Sequence, residues 1–139
     1  MFEVMKYASL LQRASRVDPS LMPANDVIRM ATNNGAKALG HETGQLSVGK
    51  KADIILVDTD NAMFTPLLRD TPAHMTSHLV FAANGSAVDA SIIDGNVVMR
   101  GRELTRVDEN QVVREANAAF RRIKDKMVIV KREKTQTTS

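Results

Sequence analysis

Gly44-Gln45-Leu46-Ser47-Val48-Gly49-Lys50-Lys51-Ala52-Asp53-Ile54-Ile55-Leu56-Val57-Asp58 is where the chain changes character. Before it, apolar residues recur at helical spacing. From Gly44 onward they fall into period two and short continuous runs. Ile54-Ile55-Leu56-Val57 is four apolar residues in a row, three of them β-branched, which predicts a strand buried on both faces. Such a strand calls for other strands on one side and a helix or a neighbouring domain on the other. Gly44 and Gly49-Lys50 also satisfy the spacing Gly-x-x-x-x-Gly-Lys, but Lys51 stands where a phosphate loop needs Ser or Thr to hold magnesium. The glycines are therefore read as turn residues.

Upstream, Met1, Val4, Met5, Ala8 and Leu11 form a helical stripe widened by Tyr7, Leu10 and Ala14, predicting a helix over 1–16 that ends at Asp18-Pro19. No capping residue precedes the stripe, so the helix reads as cut from a longer chain. A second helix begins near Pro23, which suits a first helical turn, with Asp26 favourable at the positive end of the dipole. A break near Asn34-Gly35 and an end at Gly40 are expected.

Downstream, residues 59–77 look irregular, with Pro66 and Pro72 among them, and His78-Leu79-Val80-Phe81-Ala82 reads as a strand. Asn84-Gly85 signals a turn. Val88, Ala90 and Ile92 alternate with polar partners, and Asp94-Gly95-Asn96 makes a tight hairpin into Val97-Val98-Met99, with Gly95 supplying positive φ. Arg100-Gly101-Arg102 is a further turn before a short extended stretch. The last element is a helix from Glu109 to about Lys126. Asp108 is placed as its N-cap and Gln111 at the capping-box position, with Val112, Val113, Ala116, Ala119, Phe120 and Ile123 along one face. Met127–Val130 either extends that helix or adds a strand.

The 139 residues suffice for one domain with a modest core. No apolar run is long enough to span a bilayer, and the first residues lack the basic-then-apolar order of a signal peptide. Without cysteine there are no disulfides, thiolate metal sites or cysteine nucleophile, which fits the cytoplasmic location expected here. The formal charge of +3 is local to one end. Arg121, Arg122, Lys124, Lys126, Lys131, Arg132 and Lys134 are opposed there only by Asp125 and Glu133, and residues 1–120 carry a net −2. The body is thus no nucleic-acid surface, and the tail lacks interleaved aromatics.

Three segments in order resemble the metal-dependent amidohydrolases of the cytosine deaminase-like branch, which includes S-adenosylhomocysteine and methylthioadenosine deaminases, guanine deaminase and triazine chlorohydrolases. Pro23–Gly40 is similar to a late barrel helix. Gly44–Asp58 is similar to the stretch "G-x-L-x-x-G-K-x-A-D-hydrophobic" by which these enzymes return to a small β-sandwich. Val88–Gly101 is similar to the closing strands of that sandwich, and residues 1–13 resemble the segment after the last catalytic aspartate. The resemblance implies an α+β fold: terminal helices of an incomplete (β/α)8 barrel, part of a composite β-sandwich, and a C-terminal amphipathic helix. With the C-terminal helix and the polar tail read from their own residues, the chain is expected to divide into a helical barrel remnant at 1–43, a partial sandwich at 44–107, a helix packing on it at 108–130 and a disordered tail at 131–139.

The resemblance also implies hydrolytic chemistry with Zn²⁺ or Fe²⁺ polarising a water, the metal held by a His-x-His pair, later histidines and an aspartate. This chain has no His-x-His, and the aspartate strand would precede Met1. No catalytic, cofactor-binding or metal residue is therefore carried over.

Other candidates read as structural. His74 and His78 would share a face on a helix and start a zinc site. With Pro72 upstream and no carboxylate at motif spacing, they are read instead as a loop histidine and the first residue of a strand. His41 follows a helix-closing glycine, where a charge near the C-terminal end suffices. Asp53, Asp58 and Asp60 flank a strand as solvated ends. The expected function is a C-terminal amidohydrolase piece, inactive alone. A self-sufficient binding module and a subunit completing a split enzyme are the alternatives. The expected partners are a second copy or the missing barrel portion, docked on exposed apolar helix faces, with no membrane and no nucleic acid.

Overall fold

The computed structural model describes the backbone of residues 1–136 and side chains through residue 124. It falls into two compact units, Met1–Glu103 and Leu104–Ser139.

In the first unit, α1 (Phe2–Arg16) carries Glu3 in its first turn and Arg13 and Arg16 in its last, matching the helix dipole at both ends. Val17, at φ 51°, turns the chain out of the helix. Ser9 is fully buried, and its hydroxyl donates to the Met22 carbonyl at 2.8 Å. Arg13 Nε donates to the Leu21 carbonyl at 2.9 Å, and its guanidinium lies 5.0 Å from the centre of the Phe81 ring. These contacts fix α1 against the Leu21-Met22 backbone and the Phe81 side chain.

The expected break at Asn34-Gly35 takes another form. α2 (Ala24–Arg29) passes into a π-helical turn, Met30–Asn34, and then into α3 (Gly35–Ala38). The helical path is continuous but widened, and the Thr32 hydroxyl donates to the Ile28 carbonyl inside it. Gly40, at φ 67°, ends the run as expected.

β1 (Ile54–Val57), β2 (Val88–Ile93), β3 (Asn96–Arg100) and β4 (Glu103–Leu104) form one sheet in the order β1-β2-β3-β4. β1 and β2 are antiparallel, with Ile54 opposite Ile92 and Leu56 opposite Ala90, and a bulge follows Leu56. β2 and β3 are joined by the Asp94-Gly95 turn, where both residues have positive φ (49° and 77°), the primed geometry that suits a two-residue hairpin. One expectation for β1 fails. Ile55 is 51% and Leu56 54% exposed, on opposite faces of the strand, so neither face of β1 is fully covered within the described residues.

A second correction concerns residues 72–82. The stretch read as irregular chain and then a strand is a helix, α4 (Pro72–Phe81). Pro72 at its start has the φ a first helical turn needs. Val80 is fully buried in a cluster with Ala24 and Val27, which Met5, Met22, Ile28 and Phe81 surround. A short apolar run fits a buried helix as well as a strand, and here the packing on α2 decides. The second cluster is Phe64, Ala83 and Ala87, with Phe2, Val57, Met63, Leu67, Met75 and Leu79 around it.

In the second unit, α5 runs Glu109–Gln136. Asp108 accepts the backbone N–H of Gln111 at 3.0 Å, the expected cap. Gln111 does not complete a reciprocal box and instead donates to Glu115 at 2.8 Å. The helix takes in Met127–Val130 and continues past 131, where an irregular tail was expected. Lys131-Arg132-Glu133-Lys134 are good helix formers. The tail's last residues, 137–139, lie outside the described residues.

Candidate functional site

α4 brings together the two histidines that the sequence separated into loop and strand. Four residues apart on one helix, their rings stand edge to face with centres 4.8 Å apart. Both turn toward the chain between Met63 and Leu68, which contains the cis Thr65–Pro66 peptide. His74 Nδ1 accepts the Leu68 N–H at 3.1 Å, so that nitrogen carries no proton and Nε2 does. His78 places Nδ1 2.9 Å from the Met63 carbonyl and Nε2 3.2 Å from the Pro66 carbonyl. A neutral ring donates to one of these, an imidazolium to both. The Phe64 ring lies 5.8 Å from His78 and is fully buried. The pair thus straps one loop over the second apolar cluster.

The second polar cluster surrounds Asp53, at the start of β1. Its Oδ2 accepts the Thr43 hydroxyl at 2.8 Å, and its Oδ1 accepts the Asp94 N–H at 2.7 Å. Gly95 N–H donates to the Ala52 carbonyl alongside, and Lys51 Nζ lies 3.3 Å from Asp94. The Asp94 N–H above all, then the Thr43 hydroxyl, holds the Asp53 carboxyl below its ordinary value, with Lys51 and His41 adding in the same direction. The link between the helices and the sheet is therefore pinned to the hairpin turn.

Asp58 and Asp60 do not join this cluster. Asp58 Oδ1 accepts the Asp60 N–H at 2.8 Å in a local turn. Lys50 pairs with Glu42 at 2.6 Å, and that hydrogen bond, with the charge behind it, lowers the Glu42 carboxyl. Gly44 and Gly49 both sit at φ 85°, as turn glycines should. Gly44 has a further reason to be glycine: a Cβ there would meet the Thr32 carbonyl oxygen at 2.8 Å.

Residues missed by sequence reasoning include Ser9, Arg13 and Thr43. The signal for Ser9 was a small polar side chain inside an otherwise apolar stripe. Asn61 and Asn84, each accepting an N–H two residues on, start the turns before Phe64 and Ala87.

The described residues do not fit the metal that the resemblance implies. Among them, no group of three or more His, Cys, Asp or Glu could hold an ion. Three of the four ring nitrogens in the His74–His78 pair already face backbone groups. No described helix is long and apolar enough to cross a membrane.

Residues 1–98 match the model of the Amidohydrolase family. The chain is 46% identical over 119 residues to a 5′-deoxyadenosine deaminase of Methanosarcina mazei, covering 86% of this chain and 26% of that protein. It is 43% identical over 126 residues to a 5-methylthioadenosine/S-adenosylhomocysteine deaminase of Desulforudis audaxviator, covering 88% of this chain and 28% of the relative. Among solved structures, an adenosine deaminase from Xanthomonas campestris with bound zinc superposes with a TM-score of 0.82 at 32% identity, covering 90% of this chain and 28% of the other. The atrazine chlorohydrolase of Arthrobacter aurescens gives 0.72 at 21% identity over 85% of this chain and 26% of its own, a likeness of fold. The chain spans about a quarter of the length of the curated relatives it matches.

Proposed function

The chain belongs to the amidohydrolase family, and from that membership we propose that it forms the carboxy-terminal part of a metal-dependent aminohydrolase acting on an adenine nucleoside modified at its 5′ position. In that reaction water adds to the ring carbon bearing the amino group, ammonia leaves, and the carbon keeps the water oxygen. The observation that carries the proposal is the 46% identity to a 5′-deoxyadenosine deaminase, set against 21% for the chlorohydrolase. Deamination is favoured over dechlorination on that difference.

In this reading α1 to α3 are the last helices of the barrel and the four-stranded sheet is part of the composite sandwich. Among the described residues the His, Asp and Glu side chains form no metal cage, so we assign the bond-making step to other parts of the barrel. The part of this chain is to close the scaffold. α1 exposes Met1 by 74%, Val4 by 67% and Leu11 by 65%. We assign that apolar stripe to contact with the rest of the barrel, since stripes of this kind seek cover.

Two preparations test the proposal. The chain alone, supplied with zinc or iron and either 5′-deoxyadenosine or methylthioadenosine, should release no ammonia. The Methanosarcina mazei relative with its corresponding quarter replaced by this chain should release ammonia from 5′-deoxyadenosine. Turnover by the isolated chain, or a folded, metal-loaded chimera that stays silent, would count against it.

A further inference from the structure

We propose that Asn84 is a site of self-directed deamidation, where the fold sets the side chain to close on the next peptide nitrogen and lose ammonia. The inference is independent of the enzymatic reading above. The Gly85 nitrogen attacks Asn84 Cγ. The N–Cγ bond forms, the Cγ–Nδ2 bond breaks, and the displaced nitrogen leaves as ammonia with the proton from Gly85. Water then opens the five-membered imide at either carbonyl. One opening gives aspartate. The other gives isoaspartate, whose main chain runs through the side-chain carbons.

Three asparagines show why the reaction belongs to Asn84. The sequence has two Asn-Gly pairs, 34–35 and 84–85. Asn61 precedes Ala62 but shares the backbone of Asn84: φ −147° and ψ 171° against φ −136° and ψ −177°. Each of these side-chain oxygens accepts the N–H two residues on, Asn84 from Ser86 at 2.8 Å and Asn61 from Met63 at 3.0 Å. The ring closed by that bond contains both Cγ and the next nitrogen, which holds the two reacting atoms on one side of the chain. The donated N–H also points at the oxygen on which negative charge develops during attack, as in an oxyanion hole. Asn61 has this geometry without the neighbour. Ala62 sets a Cβ beside the nitrogen, and the Asn61 amide nitrogen is held on the Asp58 carbonyl at 2.7 Å. Asn34 has the neighbour without the geometry. It is helical, at φ −69° and ψ −39°, and the Gly35 N–H donates to the Met30 carbonyl. Of the three, Asn84 alone combines a following glycine, an extended backbone and an aimed donor, and both Asn84 and Gly85 are exposed to water.

The isoaspartate product lengthens the main chain by one carbon between Ala83 and Ala87, both buried in the Phe64 cluster. It therefore loosens the Ala87 carbonyl from the Asp58 N–H, which it accepts at 2.8 Å where β1 and β2 meet.

Peptide mass mapping of the full chain, kept in mildly alkaline buffer either folded or in urea, follows each asparagine. In the folded chain Asn84 should convert about tenfold or more faster than Asn34, and in urea the two should convert at similar rates. Gly85→Ala should slow Asn84 to the level of Asn34 with the fold kept, since nothing lies within 4 Å of a Cβ there. The ammonia set free, at most one per chain from this site, should not depend on added nucleoside, which separates it from turnover. Equal rates in the folded chain overturn the proposal. So does a preference for Asn84 that persists in urea, or conversion of Asn84 at an unchanged rate in Gly85→Ala. If Gly85→Ala misfolds, the comparison of folded and urea-treated wild type decides.

Discussion

The Asp53 carboxylate accepts the backbone N–H of Asp94 at 2.7 Å, across 41 residues of chain. One oxygen holds the hairpin turn and the other holds Thr43, so a single side chain joins the segment before β1 to the hairpin end of the β1–β2 pairing. Because the folded state lowers the Asp53 value, the charged form favours folding. That contribution is fully present above the unfolded value of about 3.9 and is lost as pH falls through the lower folded value. The urea midpoint should therefore drop on acidification below about pH 4. Asp53→Asn should lower the midpoint at neutral pH and flatten part of the acid slope. Glu42 and Asp18, whose values are lowered by Lys50 and Ser20, should keep the remainder.

Gly44 and Gly49 share a φ of 85° but differ in surroundings. Nothing lies within 4 Å of a Cβ at Gly49, so Gly49→Ala should cost only the backbone strain, about 1–2 kcal/mol. At Gly44 the added carbon would strike the Thr32 carbonyl, and Gly44→Ala should cost about 3 kcal/mol or more. Chemical denaturation of the two variants tests the order.

Phe64 is fully buried between Ala83, Ala87 and the His78 ring. Phe64→Ala should destabilise the chain by about 3–5 kcal/mol, enough to unfold much of it at 37 °C. Phe64→Leu should cost under about 1.5 kcal/mol. Equal losses for the two variants would mean that the cluster is not close-packed.

His74 holds the Leu68 amide through Nδ1. His74→Phe keeps a ring of similar bulk and removes the acceptor, so the Leu68 N–H should exchange with solvent about fivefold faster, the equivalent of ~1 kcal/mol. The Ala82 and Ala83 amides, which donate to the His78 carbonyl inside the fold, should be unaffected. Amide exchange read by NMR distinguishes the two outcomes.

Where local chemistry decides an element, the sequence was readable. The α1 stripe, the positive φ at Gly95, the Asp108 cap and the alternation of β2 are all set by neighbours a few residues away. The Gly44–Asp58 stretch carried the family. α4 was misread because Leu79-Val80-Phe81 has no period long enough to separate strand from helix. Val80 packing on Val27, fifty-three residues upstream, settles it. The same limit hid the His74–His78 contact, which exists only because α4 is a helix. The π turn at 30–34 showed in the sequence only as the break expected near Asn34-Gly35, since Met-Ala-Thr-Asn-Asn would also suit an ordinary helix. Asp53 was recognised as part of the motif, but its partners at 43 and 94 come together only once the sheet forms.

The π turn bears on chain length as well as on identity. Met30–Asn34 takes up an extra residue per turn, and this aims Ala36, only 7% exposed, at the face where Gly44 lies against Thr32. Deleting one residue there should be absorbed as the segment rewinds to a regular helix, because that residue is the one the wider turn takes up, and Ala36 should keep its direction. Rewinding with all five residues kept would instead rotate everything after it by about 100° and swing Ala36 away from Gly44. This segment should therefore tolerate the loss of one residue better than a change that straightens the turn.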